Sequence, residues 1–174
     1  DGYLHVKPVV FWQQENLLQQ YLPNLDRYIV LSDYDKRDYM EKLGIDCEVK
    51  INPRSFVSEK KCDVKSKRFL MATRFVYAKG LDLMMESFEE FCKEDSEWEL
   101  DIIGDGDLFD QIRADAKKRH LEKRVHFVGY TNEPEKYYLN SSVFLLQSRW
   151  EGWPMVIMEA FEFGLPVIAY HMGA

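Results

Sequence analysis

The stretch EGWPMVIMEAFEFG, from Glu151 to Gly164, decides the fold and the chemistry expected of this chain. It predicts a sharp turn at Gly152, then a helix that begins at Pro154 and ends at Gly164. Apolar residues occupy nearly every side of this helix, so we expect it to be packed all round. Glu159 lies among them, and a carboxylate in such surroundings is costly unless a partner hydrogen-bonds it.

Two interpretations of the acidic residues Glu151 and Glu159 remain open at this point. In the first, a ligand hydroxyl binds Glu159, and the free N–H groups around Trp153, Met155 and Val156 face an anion such as a phosphate. In the second, Glu151 caps the helix and Glu159 pairs with an Arg or Lys of the protein itself.

Composition excludes several classes of protein. The 174 residues, 46% hydrophobic and 30% charged, allow one sizeable domain or one domain with part of another. A net charge of −7 disfavours nucleic acid as a partner. Cys47, Cys62 and Cys92 are odd in number and lack CxxC spacing, which indicates reduced thiols in a cytosolic setting. The histidines show no metal-ligand spacing, so no metal is expected.

No apolar run approaches the roughly 18 residues of a membrane span, and the N-terminus lacks the pattern of a signal peptide. We therefore expect a soluble, cytoplasmic protein. The chain does not start with methionine and it stops just after the strand-like PVIAY, so we also expect it to be part of a longer protein.

From Lys67 onward, short apolar runs alternate with amphipathic stretches, which predicts an α/β fold with a Rossmann-like, doubly wound parallel sheet. The predicted strands are RFLMAT, WELDIIG, RVHFVG, VFLLQS and PVIAY, and the predicted helices lie near residues 81–93, 108–120, 133–140 and 154–163. Ligands of such sheets bind beyond the carboxyl ends of the strands. Four candidate residues lie at or just after the end of a predicted strand: Arg74, Gly104, Tyr130 and Glu151.

The pattern differs before Lys67. A polar helix is predicted near residues 15–21, followed by the strand RYIVLS, a helix opened by Ser32 and closed near Gly44, and the strand CEVKI. Residues 52–66 hold proline, serines and three lysines, which is typical of a linker.

Arg74 and Lys79 bracket the loop TRFVYAKG after the first strand of the large sheet. Beside a helix N-terminus they could form a diphosphate clamp, in which arginine grips oxygens in a fork and lysine acts as a mobile point charge. The alternative is ordinary solvated surface charge.

Three other features carry weaker signals. The turn GDGD, from Gly104 to Asp107, is no dinucleotide fingerprint, since the third glycine would fall at Phe109. It serves either backbone approach to a ligand or plain turn geometry. Tyr130 could lie against a flat ring or could be simple surface. His126, within a strand, is expected to be a buried neutral histidine.

A stripe of large apolar residues with helical spacing is predicted to be core. It consists of Met84, Met85, Phe88 and Phe91.

In this order, Arg74, Lys79, GDGD and two glutamates separated by seven residues resemble the retaining glycosyltransferases of the GT-B fold, in the family 4 (group 1) type. The resemblance covers roughly residues 68–174, through ATRFVYAKGLDLMMESF, WELDIIGDGD, RVHFVGY and SSVFLLQSRWEGWPMVIMEAFEFGLPVIA. Proteins of that family have two Rossmann-like domains facing across a cleft. The N-terminal domain binds the acceptor and the C-terminal domain binds the nucleotide-sugar donor.

The resemblance implies a division of this chain. Residues 1–52 would be a remnant of the acceptor domain and residues 53–66 the interdomain linker. Residues 67–174 would be the nucleotide-sugar-binding domain, the C-terminal half of the GT-B fold, incomplete at its C-terminus.

The resemblance also implies residue roles. Arg74 and Lys79 would hold the diphosphate and assist its departure, while Glu151 would approach the donor sugar as the third catalytic residue. Glu159 would bind the ribose hydroxyls. The remaining implied substrate-binding residues are Gly152, Trp153, Pro154, Met155 and Val156 for sugar and phosphate, Val128 and Tyr130 for the base, and Gly104 and Asp105 of the GDGD turn. Two departures from the family pattern are Thr73, where glycine is common, and Trp153, where phenylalanine is usual.

The partners implied are a UDP-, GDP- or ADP-sugar and, through the missing N-terminal domain, a glycan or glycolipid acceptor. No cofactor or metal is implied, and the resemblance leaves open peripheral attachment of the full-length protein at the inner membrane face. The fragment alone should bind nucleotide weakly and should not catalyse transfer.

Two other classes of protein are alternatives. A receiver-like or other non-catalytic α/β binding module would need paired acids where Thr73 and Arg74 stand and an aspartate where Gly129 stands. A nucleotide-sugar epimerase or phosphorylase would share the fold.

Overall fold

The computed structural model describes residue 20, residues 24–55 and residues 57–171. The chain divides into two compact units, residues 1–51 and residues 52–174, and each is described by itself. The helix predicted near residues 15–21 lies, apart from residue 20, outside the described residues.

The described residues of the first unit form two short parallel strands and a helix between them. Strand β1 is Ile29–Val30, helix α1 is Asp33–Leu43, and strand β2 is Glu48–Val49. The Ser32 hydroxyl accepts the backbone N–H of Asp35 and caps α1, as predicted. Gly44 ends α1 at a φ of 68°, a left-handed conformation that favours glycine.

The second unit is built on a five-stranded, fully parallel sheet of order β5-β4-β3-β6-β7. Its strands are β3 Arg68–Ala72, β4 Glu99–Ile103, β5 Val125–Gly129, β6 Val143–Leu146 and β7 Val167–Ala169. Each lies within a predicted strand, so the α/β fold with a parallel sheet is confirmed.

A 3₁₀ turn and four helices connect these strands. They are the 3₁₀ turn Tyr77–Lys79, α2 Leu81–Glu94, α3 Phe109–Lys118, α4 Glu135–Leu139 and α5 Met155–Glu162. None of the described helices has the length and apolar character needed to cross a membrane.

Two hydrophobic clusters lie on opposite faces of the sheet. Phe69 and Met71 belong to the first and Leu70 and Ala72 to the second, because successive strand residues point to opposite faces. Residues of α2 and α3 complete the first cluster and residues of α4 and α5 complete the second. Helices therefore cover both faces, as a doubly wound sheet requires.

The predicted stripe on α2 is confirmed as core. Met84, Met85 and Phe88 are buried in the first cluster, and Phe91 packs against it. Free thiols occur at all three cysteines, and burial raises the pKa of each.

Strand β3 pairs with both β4 and β6, so the strand order reverses there: successive strands are added on one side of β3 up to β5 and on its other side from β6 onward. Connections leave β3 and β6 toward opposite faces at that point, which opens a crevice beyond their carboxyl ends. This crevice positions the candidate site.

The structure corrects two predictions about α5. Pro154 precedes the helix in an extended conformation, with φ −75° and ψ 90°, so Met155 and not Pro154 is its first residue. The helix is also not packed all round: of its eight residues only Ala160 is buried, and Phe161 is 59% exposed. The helix contacts the sheet along one side only, and a count of apolar residues does not reveal which sides have neighbours. Gly164 follows the helix at a φ of 71°, as its role of stop signal predicts.

The prediction that His126 is buried is also wrong. Strand β5 is at an edge of the sheet, and the His126 side chain is 41% exposed. Its Nε2 lies 2.7 Å from the carboxylate of Glu99, and this hydrogen bond, together with Arg68, lowers the pKa of Glu99.

Residues 53–66, the predicted linker, lie within the second unit and run along the end of α5. The backbone N–H of Ser58 donates to the Glu162 carboxylate at 2.9 Å, and that of Cys62 donates to the Phe163 carbonyl at 2.9 Å.

Candidate functional site

A cavity of about 390 Å³ opens at the carboxyl ends of β3, β4 and β6. Eight of the predicted site residues line it: Arg74, Lys79, Gly104, Tyr130, Glu151, Pro154, Met155 and Val156. The structure thus brings together residues that lie on four separate loops of the sequence. It places the first turn of α5, with N–H groups that have no partner within the helix, against the same space.

Five predicted residues do not line this cavity: Gly152, Trp153, Asp105, Val128 and Glu159. Val128 packs against the second hydrophobic cluster instead. Asp105 accepts a hydrogen bond from the N–H of Gly106 at 2.8 Å, so its side chain stabilises its own turn. Gly152 is exposed, and its φ lies outside the left-handed region.

Lys79 and Glu151 form an ion pair at the wall of the cavity. The Lys79 ammonium lies 2.6 Å and 2.8 Å from the two carboxylate oxygens of Glu151. The Ser148 hydroxyl donates to Glu151 Oε1 at 2.6 Å. The side chains of Lys79 and Glu151 are only 19% and 11% exposed. Glu151 therefore engages Lys79 and does not cap α5, and Lys79 is held in place instead of being a mobile charge.

Arg74 differs from Lys79 in its surroundings. Its side chain is exposed, and it makes no hydrogen bond or ion pair with the residues that the structure describes. Since the Lys79–Glu151 pair is neutral, Arg74 supplies the uncompensated positive charge of the cavity. A guanidinium has five N–H donors in a planar fork that matches the oxygens of a phosphate.

The GDGD turn supports the loop that carries Arg74. At Gly104, φ is 122° and a Cβ atom would lie 1.8 Å from the Thr73 carbonyl oxygen. At Gly106, φ is 153° and a Cβ would lie 2.8 Å from the Phe75 backbone nitrogen. Both glycines are therefore required by the close approach of two protein backbones, which accounts for the turn without a ligand.

Glu159 lies deeper along α5 and has two hydroxyl partners. The Tyr138 hydroxyl donates to its Oε2 at 2.8 Å, and the Ser55 hydroxyl donates to its Oε1 at 3.3 Å. Among the described residues Glu159 makes no ion pair, so the interpretation that it pairs with an Arg or Lys is wrong. Tyr138 is fully buried, and burial, followed by the Glu159 charge, raises its pKa.

Ser148 and Tyr138 were not predicted as site residues, although each contacts a predicted glutamate. Ser148 ends the apolar run VFLLQS, and a polar residue just beyond a buried strand is the signal that could have found it. Tyr138 has no such signal, because a tyrosine on an apolar helix face is usually core.

The two aromatic residues predicted for the site, Tyr130 and Trp153, differ in their surroundings. Tyr130 is 77% exposed at the rim of the cavity. The indole N–H of Trp153 is buried and has no hydrogen-bond partner among the described residues. Over the same residues, no group of three or more His, Cys, Asp or Glu side chains is arranged to hold a metal ion.

Comparison with known proteins places the chain in a family. Residues 55–174 match the model of the glycosyl transferases group 1. An uncharacterized glycosyltransferase of Haemophilus influenzae is 30% identical over 148 residues, which are 84% of this chain and 42% of that protein. The lipopolysaccharide 1,6-galactosyltransferase of Salmonella typhimurium is 31% identical over 105 residues, 58% of this chain and 29% of that protein.

The fold of the chain is also found in solved structures of glycosyltransferases. A mutant of TarM from S. aureus, in complex with fondaparinux, α-GlcNAc-glycerol and UDP, matches with a TM-score of 0.82 and 22% identity, over 93% of this chain and 33% of that one. The chain therefore spans less than half of the length of the relatives it matches. Because the family model covers more than half of the chain, the protein belongs to the group 1 glycosyl transferases.

Proposed function

We propose that the cavity of the second unit binds the diphosphate of a nucleotide sugar, and that this chain is the donor-binding part of a retaining hexosyltransferase. Transfer would go to a glycan or glycolipid acceptor in polysaccharide or glycolipid biosynthesis. The observation that carries the proposal is that Arg74, Lys79 and the N-terminus of α5 line one cavity. This cavity lies beside β3, where the strand order of the sheet reverses.

Each of these groups is suited to a diphosphate. Arg74 presents free guanidinium donors, and the backbone N–H groups at the start of α5 attract an anion. Lys79 has three N–H donors, of which the two oxygens of Glu151 use two, so one remains for a phosphate oxygen.

The same arrangement suits the chemical step. When the bond between the anomeric carbon and the diphosphate breaks, the electron pair stays on the leaving oxygen. Arg74 and Lys79 would stabilise the charge that develops there, because fixed cations in an enclosed site need little reorganisation. Glu151, beside them, would face the donor sugar. Glu159 does not line the cavity and already accepts hydrogen bonds from Tyr138 and Ser55, so its assignment to the ribose hydroxyls rests on the family resemblance alone.

The relatives support the class of reaction. One is a lipopolysaccharide galactosyltransferase, and the TarM mutant was solved with UDP. We place the reaction in the cytoplasm, with the donor in this unit and the acceptor on a part of the longer relatives that lies outside the matched region. Retention of anomeric configuration rests on the resemblance of the Arg74, Lys79 and Glu151 pattern to the retaining family.

The proposal is tested by titrating the 174-residue chain with UDP, GDP and ADP by calorimetry, with UMP as a comparison. One nucleoside diphosphate should bind, and more tightly than its monophosphate, because Arg74 and Lys79 act on the second phosphate. Arg74→Gln should weaken that binding about tenfold or more, since a bidentate phosphate contact is lost.

Arg113→Gln is the matched control, because Arg113 is an exposed arginine on α3 that does not line the cavity. Its affinity should equal that of the unmodified chain. Absence of binding by all three nucleotides at millimolar concentration, or undiminished binding by Arg74→Gln, would contradict the proposal.

A further inference from the structure

Lys79 and Glu151 meet although they lie on loops that follow different strands, β3 and β6. The two loops approach closely at Gly80, where φ is 62° and a Cβ atom would lie 2.0 Å from the Gln147 carbonyl oxygen. Backbone contact of this kind keeps the loops adjacent but does not fix the position of a side chain along them.

Arg149, two residues before Glu151, connects the two loops directly. Its backbone N–H donates to the Ala78 carbonyl at 2.7 Å, and its guanidinium donates to the Tyr77 carbonyl at 2.9 Å. The Arg149 guanidinium thereby binds the 3₁₀ turn whose last residue is Lys79.

The same guanidinium reaches the first turn of α2. It donates to the two carboxylate oxygens of Asp82 at 2.8 Å and 2.5 Å. This hydrogen bonding lowers the pKa of Asp82, so the carboxylate is ionised well below neutral pH. The Arg149 side chain is 18% exposed and its Cζ lies 4.0 Å from the centre of the Tyr77 ring, a cation–π contact.

We propose that Arg149 is a positioning residue that holds Lys79 in register with Glu151. It thereby fixes the position of the Lys79 ammonium, which meets the donor diphosphate. Arg149 does not line the cavity, so it acts through Lys79 and not on the ligand. The inference rests on the proposed function. Placement matters because a shift of about 1 Å in a site can cost about a hundredfold in rate.

The chemistry of arginine explains why this residue type is suited to the position. One planar guanidinium serves the Tyr77 carbonyl and both Asp82 oxygens at once. A lysine ammonium could reach one of these groups, but it lacks the fork that binds them together. Arg149→Lys should therefore restore only part of what Arg149→Gln loses.

The first test compares affinities for UDP and uridine, because only UDP engages Lys79. Arg149→Gln should weaken UDP binding about tenfold and leave uridine binding unchanged, which a general loss of structure would not do. Asp82→Asn breaks the same ion pair by changing its acidic partner, and it should also weaken UDP binding. Agreement between the two variants would show that the loss is not a folding defect of one of them.

Arg119→Gln is the matched control. Arg119 is also an ion-paired arginine, held by Asp115 and Glu89, with 28% exposure, and it lies away from the cavity lining. Both affinities should be unchanged in this variant. If Arg74→Gln weakens UDP binding while Arg149→Gln and Asp82→Asn do not, the proposed function stands and the positioning role is overturned.

The second test needs no ligand. Lys79→Met should lower the urea midpoint of unfolding by less in the Arg149→Gln background than in the unmodified chain, because the Lys79–Glu151 contact is already loosened there. Additive shifts would overturn the positioning role, including in the case where the chain binds no nucleotide and the proposed function has failed.

Discussion

Replacing Lys79 by methionine should destabilise the second unit by about 2 kcal/mol. Breaking a fully buried ion pair costs about 3–5 kcal/mol because one charge is left without its partner, whereas a surface pair contributes about 0–1 kcal/mol. The Lys79 and Glu151 side chains are 19% and 11% exposed, so the pair lies between these cases. The Ser148 hydroxyl remains on Glu151 and offsets part of the loss.

The assay is urea unfolding followed by tryptophan fluorescence in a Trp12→Phe background. The three remaining tryptophans, at positions 98, 150 and 153, all lie in the second unit, so the signal reports that unit.

Two variants control for the source of the effect. Lys79→Met/Glu151→Leu removes both charges and should recover most of the stability, since an apolar pair of similar volume needs no charge compensation. Lys93→Met breaks a pair whose side chains are 59% and 67% exposed and should cost less than about 0.5 kcal/mol.

If Lys79→Met costs no more than Lys93→Met, the Lys79–Glu151 pair contributes no more than a surface pair and the expected loss is wrong. If the double variant is less stable than Lys79→Met, the loss comes from packing and not from an uncompensated carboxylate.

Three further predictions concern other parts of the chain. Gly104→Ala should lower the thermal midpoint and cost about 3 kcal/mol or more, because of its positive φ and backbone clash, while Gly152→Ala, with open space around it, should stay within about 0.5 kcal/mol. The pKa of Glu162 is held below its ordinary value, first by the hydrogen bond from the Ser58 N–H. The contribution of Glu162 to folding stability is therefore complete at higher pH and is lost as the pH falls through the pKa of the folded state. Glu162→Gln should therefore flatten the acid side of a thermal-midpoint profile, and an unchanged profile would contradict this. Ser32→Ala removes the cap of α1 and should lower the free energy of opening of that helix by about 1 kcal/mol, which amide hydrogen exchange would report as faster exchange.

The parallel sheet was predictable because its inner strands, β3, β4 and β6, are buried on both faces and form continuous apolar runs. Glycine signals were equally informative: Gly44 and Gly164 both follow helices in the left-handed conformation. The surroundings of α5 and His126 were not predictable, because periodicity counts apolar residues and does not show which side of an element has a neighbour. His126 is exposed through the position of β5 at the sheet edge, which depends on strand order.

The site was predictable as a location but not as a set of contacts. Arg74, Gly104, Tyr130 and Glu151 follow strands, and parallel strands bring such residues to one edge. The pairing of Lys79 with Glu151 joins residues 72 positions apart, and nothing in their local sequence indicates it.

The contacts of Arg149 show why the pairing of Lys79 with Glu151 could not be predicted from the sequence. The loops that carry the two residues approach because Gly80 admits the Gln147 carbonyl and because Arg149 bridges to Asp82. Each of these contacts is a tertiary interaction between residues that a motif search treats separately.

The ion pair also bears on how a donor would be bound. An ammonium as enclosed as that of Lys79 would be costly to hold without an anionic partner, and Glu151 offsets that cost. The same carboxylate repels a diphosphate, so the features that keep the site formed before binding also weaken binding. Ser148 keeps one oxygen of Glu151 engaged, which limits how far that oxygen can turn toward the ligand. Arg74, exposed and uncompensated, is then the group that supplies the net attraction, and this is why its replacement should reduce affinity without reducing stability.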